Sequence, residues 1–295
     1  MPIVSMQTRT ARYLDLVYLG RNDGWCYALG VLIIAFFWLG LGYLPYAWFE
    51  DAVAADPVLD FVALNFSILM MLAGLAVTVK WIHGRNLLTV VTPEARVHWA
   101  RMARGAAVWV VVAALTAAAE YLLFPDRYYV SFDPRRFYSF ALAVMVLTPL
   151  QCAAEELVFR GYAIQGLALL TRCPVLIAAA SGVLFALPHL LNPEVHQYGA
   201  LVMAANYFAI GVVLAVITLR DGRLELAIGL HTANNIFLAL IANYEGSALS
   251  TGAIFTARAL DPWYSLATLV GGGGAFYWWF FGRAARQEEG LDAKL

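Results

Sequence analysis

Apolar residues fall along the chain in long runs separated by short polar segments. A helix needs about 20 mainly apolar residues to cross a bilayer. On that measure the chain gives eight candidate spans, at about 26–48, 58–80, 104–124, 137–168, 174–191, 199–219, 224–242 and 262–282. The pattern predicts an all-α fold, a polytopic transmembrane helix bundle of about eight spans. The fourth run is too long for a simple crossing, and the fifth and seventh are short and carry histidines. Aromatic clusters, "YLPYAWFE" after the first run and "YWWFFGR" after the last, mark membrane–water interfaces. The stretch "TPEARVHWARMARG" (92–105) reads as a basic amphipathic segment on the cytoplasmic face. "GGGG" at 271–274 reads as a site of close helix packing.

Composition agrees with the pattern. The chain is 62% hydrophobic and 13% charged, with mean hydropathy +0.71, where a soluble domain carries about 25% charged residues. Net charge is −1 and no basic block occurs, so nucleic acid is not expected as a partner. The whole chain, 1–295, reads as one integral membrane domain. Residues 1–25 lack the pattern of a signal peptide and read as a cytoplasmic or interfacial segment. Cys26, Cys152 and Cys173 show no CxxC spacing and read as inert buried thiols.

Charge sets the expected orientation. With the N-terminus inside, fourteen of the nineteen Lys and Arg lie on the inner side, from Arg9 to Lys294. Four lie outside (Arg127, Arg135, Arg136 and Arg258), and Arg160 falls within a span. Inner loops carry the excess of Lys and Arg, so both termini are expected to be cytoplasmic. Seventeen of the nineteen are Arg, a bias that fits a GC-rich bacterial genome, and a multi-pass protein of the inner (plasma) membrane is expected.

Polar and ionisable groups inside spans are costly and mark functional positions. They are Glu155, Glu156 and Arg160 in the fourth run, His189 in the fifth, and His231, Asn234 and Asn235 in the seventh. Asn65, Glu120 and Asn206 are isolated. Glu156 and Arg160 are four apart and share a helix face, whereas Glu155 is turned about 100° away. This spacing divides the labour: Glu156 is held by Arg160, and Glu155 faces another partner. Taken alone, the Glu–Arg pair equally fits a lock between helices. Pro188, just before His189, should bend its helix. At 1.5 Å per residue, Glu155 and His189 both lie roughly 20 Å from the cytoplasmic helix ends, Asn235 about 16 Å and His231 about 10 Å. A carboxylate and an imidazole sharing one water can deprotonate it for attack on a carbonyl, and an amide with a second imidazole can stabilise the oxyanion. No GxSxG, GxGD or HExxH pattern is present.

"EELVFR", "FALPH" and "HTANN" resemble, in order and spacing, the EExxxR, FxxxH and HxxxN motifs of the CPBP (Abi) family, which includes the CAAX prenyl endopeptidases of the Ras-converting type. "NYFAIGVVLA" resembles the weaker motif between them, with Phe208 and Gly211 as candidates. The similarity covers about 135–245. It implies a glutamate-type intramembrane endopeptidase with an eight-helix bundle, no cofactor, and a cavity open to the cytoplasm for a peptide or membrane-protein substrate. Carried over residue by residue, Glu155 and His189 activate water, His231 and Asn235 stabilise the oxyanion, and Glu156 and Arg160 are supports. Glu155, His189 and His231 also make up a His₂Glu set of the kind that binds catalytic zinc. A non-catalytic scaffold or immunity protein and a proton-coupled transporter are the other functions weighed; the transporter lacks the internal repeats it would need.

Overall fold

The computed structural model describes the backbone of residues 6–248 and 252–292. Residues 1–5 of the N-terminal segment and Lys294 lie outside the described residues, as do the side chains of Arg283 and Arg286. A short helix, α1 (Met6–Leu14), precedes the apolar helices α2 (Gly24–Trp48), α3 (Pro57–Ile82), α4 (Trp99–Leu123) and α5 (Pro134–Leu167). Then come α6 (Pro174–His189), α7 (Ala200–Asp221), α8 (Glu225–Leu240) and α9 (Pro262–Asp292).

Local sequence explains several starts. Asp56 and Asp133 each precede a proline, and their carboxylates accept from the Val58 and Arg135 amides at the heads of α3 and α5. An acidic N-cap satisfies an orphan amide, and proline fits the first helical position. Among the described residues, α2, α3, α4, α5 and α7 are long and apolar enough to cross a membrane. The molecule is a multi-pass helical bundle.

The remaining expected spans are weaker. Four glycines and several aromatic residues dilute the apolar character of α9. α6 and α8 have 16 residues each, about 24 Å at 1.5 Å per residue, short of the ~30 Å hydrocarbon core. Their C-terminal ends therefore stop early, and the chain beyond them (190–199 and 241–248) turns back over a recess. Pro188 lies in the last turn of α6, so it ends the helix there and does not kink its middle.

Residues 9–23, 80–104, 168–173 and 219–225 gather at one end of the bundle. Thr10 Oγ1 donates to the Leu219 carbonyl at 2.7 Å, the Leu224 amide to the Val91 carbonyl at 2.9 Å, and Arg101 Nε to Asp221 at 2.8 Å. The stretch 92–105 is thus not one amphipathic segment. α4 begins at Trp99, and the preceding residues are irregular, anchored by the His98 amide on Glu225 Oε1 at 3.2 Å. Cys173, also at this end, is exposed, whereas Cys26 and Cys152 are buried.

At the opposite end lies a feature absent from the sequence reading: a small sheet of β1 (Tyr128–Val130), β2 (Ala242–Tyr244) and β3 (Phe255–Ala257). β3 is central, antiparallel to β1 and parallel to β2. Three-residue strands are too short to display the alternation that identifies a strand in sequence.

α6 and α7 cross closely. A Cβ built on Gly211 would lie 2.8 Å from Gly182 Cα. Within 271–274, only Gly272 and Gly273 meet neighbours, Val112 and Val213, so half of that run serves packing. Replacing Gly211 by Val should cost about 1–3 kcal/mol through overpacking, read as a lower unfolding midpoint in detergent. Gly274→Ala, which meets nothing within 4 Å, should not lower it.

Candidate active site

Sequence spacing places Glu155, Glu156 and Arg160 on consecutive turns of α5, and the fold turns them to different surroundings. Glu156 and Arg160 are fully buried, with Arg160 Nη1 3.1 Å from Glu156 Oε1. No nitrogen of the guanidinium is aligned for a hydrogen bond with the protein. Arg160 is held by charge and by the face of Phe185, 4.0 Å from the ring centroid, a cation–π contact. That contact gives the phenylalanine of "FALPH" a physical role. The segment Leu157–Tyr162 is wound as a π-helix, a local form frequent at functional sites.

The same Glu156 oxygen has a second partner. His231 Nδ1, from α8, donates to Glu156 Oε1 at 2.8 Å. Glu156 is therefore more than the counter-ion read from its spacing: it also fixes the imidazole of His231. The donors line up behind it. Trp109 Nε1 donates to Asn234 Oδ1 at 3.1 Å, Asn234 Nδ2 to Asn235 Oδ1 at 3.2 Å, and Asn235 Nδ2 to His231 Nε2 at 3.4 Å. This chain assigns both amide orientations and the imidazole tautomer by mutual consistency. Trp109 was missed in the sequence because an indole in an apolar helix looks like any other lipophilic residue.

Glu155 faces away from Arg160 and lines a cavity of about 290 Å³ together with His189, His231 and Asn235. Its Oε1 accepts from Gln151 Nε2 at 3.2 Å, and its Oε2 is 3.9 Å from His231 Nε2. Gln151 is another residue not singled out in the sequence, although it sits four before Glu155 on the same helix face. His189 Nδ1 donates to the Phe185 carbonyl at 2.7 Å, which leaves Nε2 as the free acceptor. Its ring lies between Phe185 and Tyr207, at centroid distances of 4.3 and 5.0 Å.

All six candidates thus come together, four lining the cavity and two buried behind it. The isolated residues do not join them. Asn65 bonds the Phe61 carbonyl of its own helix. Asn206 bonds the Val202 and Pro262 carbonyls. Glu120 accepts from the Tyr128 hydroxyl. Phe208 and Gly211 belong to the α6–α7 crossing. Among the described residues, no three His, Cys, Asp or Glu converge as a metal site.

Residues 135–237 match the family model described as Rce1-like, type II CAAX prenyl endopeptidase. This core is similar to that of the type II CAAX prenyl endopeptidases. The match spans all six candidates and nearly the whole of the expected 135–245. A Bacillus subtilis (strain 168) relative, named Uncharacterized protein YyaK, is 28% identical over 268 residues, covering 85% of this chain and 89% of the relative. No solved structure matches.

Removing one member of a buried ion pair strands the other and typically costs about 3–5 kcal/mol. Arg160→Ala, which leaves Glu156 buried beside His231, should lower stability by that order, measured as an unfolding midpoint in detergent. Arg136→Ala, at an exposed 3.9 Å pair with Asp133, should leave it within about 0.5 kcal/mol.

Proposed function

We propose that the chain is a glutamate-type intramembrane endopeptidase of a bacterial plasma membrane, hydrolysing a peptide bond with a water activated by Glu155 and His189. The observation that carries this reading is the pairing, in one cavity, of a carboxylate and an imidazole acceptor with an oriented His–Asn couple beside them. No hydroxyl or thiol nucleophile is needed. Cys152 is buried, and Gln151, the residue that touches Glu155, is an amide.

In this mechanism the water oxygen attacks the scissile carbonyl carbon while its proton passes to Glu155 or His189 Nε2. Gln151 holds Glu155 in place, and the Phe185 carbonyl keeps His189 in the tautomer that accepts a proton. The developing oxyanion accepts from the Asn235 amide, and from His231 Nε2 once that nitrogen, the acceptor in the resting tautomer, has taken a proton from solvent before the attack. Glu156 stabilises that ring when it is protonated. Collapse of the tetrahedral intermediate breaks the C–N bond, and the stored proton goes to the departing amine. Preorganised donors on buried side chains act at a low effective dielectric, where they contribute most.

Cleavage of a peptide library in detergent, mapped by mass, tests the assignment. Glu155→Ala and His189→Ala should each lose about 10²–10⁴-fold in kcat. Asn235→Ala should lose about 10²–10³-fold, and Glu120→Ala nothing. A folded Glu155→Ala that cleaves like wild type would sink the mechanism. Loss of activity on exhaustive chelation, restored by zinc, would replace it with the metal reading.

A further inference from the structure

The direction in which the cavity is served follows from two sets of residues. Toward the end of the bundle that holds residues 9–23, 80–104, 168–173 and 219–225, packed side chains close it. Glu156 and Arg160 are fully buried, and beneath them Leu157, Ile164, Val90 and Leu224 form part of a continuous apolar core. Toward the other end the lining passes to Asn192, Glu194, Tyr244, Ser247 and Ala248, which follow the early ends of α6 and α8.

The two ends differ in charge. The four segments at the closed end carry 11 Lys or Arg against 5 Asp or Glu. At the cavity end, segments 49–60, 120–136, 190–199 and 241–261 carry 4 Arg against 10 Asp or Glu. The excess of Lys and Arg marks the cytoplasmic side. The same bundle therefore cannot have its arginine-rich end inside and its catalytic cavity open to the cytoplasm.

Glu194 gives the mouth a recognition group. It is 2% exposed. Its Oε1 accepts from the Tyr244 hydroxyl at 2.9 Å and the Ala248 amide at 2.7 Å, while its buried Oε2 makes no hydrogen bond with the protein. An unpaired carboxylate oxygen in such a place is costly and suits a cationic donor from outside. The acid-rich face around it would draw positively charged chains toward the site.

The geometry points to a substrate that reaches Glu155 and His189 from the arginine-poor, extracytoplasmic face, a polypeptide segment whose Lys or Arg side chain is received by Glu194. This deepens the protease reading and rests on it for the identity of the cavity, but its test does not require cleavage.

A cysteine at Ala248, a lining residue outside the catalytic set, reports the mouth, and native Cys173 reports the opposite end. With a membrane-impermeant maleimide, sealed right-side-out vesicles should label Ala248→Cys and spare Cys173, and inverted vesicles should do the reverse. Any other pattern overturns the assigned face. Recognition is read as binding to the inactive Glu155→Ala protein in detergent, with paired fluorescent peptides differing only in Lys against norleucine. The lysine peptide should bind at least about tenfold more tightly. Adding Glu194→Gln, which keeps an acceptor for Tyr244 and Ala248, should abolish that difference and leave norleucine-peptide binding unchanged. Equal binding of the two peptides to Glu155→Ala, or a preference that survives Glu194→Gln, overturns the role of Glu194. Failed cleavage by the unmutated protein would instead count against the protease reading alone.

Discussion

The site is organised around a fully buried arginine. Taking Arg160 out of water costs several kcal/mol, and neutralising it requires a carboxylate in the same dry environment. Glu156, one turn back on α5, supplies that charge, and for that reason it is not available as a base. Its Oε1 instead orients His231 on α8. The order then extends through Asn235 and Asn234 to Trp109 on α4. The guanidinium rests on Phe185 of α6, the residue whose carbonyl also sets the His189 tautomer. A single ion pair therefore registers four helices and both histidines. Glu155, adjacent in sequence, is free to face the cavity because its neighbour satisfies the arginine.

Relations within one helix could be read from the sequence. The four-residue spacing of Glu156 and Arg160 implies their contact, and the 100° offset of Glu155 implies its separate role. Hydropathy located most helices to within about five residues, α9 running on to Asp292 past its expected end, because burial in lipid imposes length and composition on each span independently. Relations between helices could not be read this way. Depth counted along two helices has meaning only if their ends are level. On that count His231 lies about 10 Å shallower than Glu155, yet its Nε2 is 3.9 Å from Glu155 Oε2. The Trp109–Asn234 bond and the split role of Glu156 are likewise properties of packing. The π-helical turn after Glu156 and the three-residue strands leave no periodic signal at all.

Short helices are the second structural requirement. A full-length span would carry its polar end to the membrane surface. By stopping after 16 residues, α6 and α8 bring the loops that follow them down toward Glu155 and His231. Histidine at the last position of α6 becomes a wall of that recess, fixed between Phe185 and Tyr207. Backbone that is not helical is tolerated at such depth only where protein or a water-filled cavity surrounds it. The small sheet of β1, β2 and β3 covers this end of the bundle and satisfies part of the loop backbone.

The charge asymmetry and the direction of the recess answer to different constraints. Arginines are distributed by the way the chain inserts into the membrane, whereas the recess is set by which ends of α6 and α8 fall short. Nothing in a local motif links the two, so the catalytic signature could be read together with either orientation. Only the bundle joins them, because a helix that starts among the arginines and ends at His189 fixes the cavity to the opposite face. If insertion follows the arginines, the chemistry is turned outward. Glu194, buried at that mouth with one oxygen unpaired, then faces chains arriving from outside the cell.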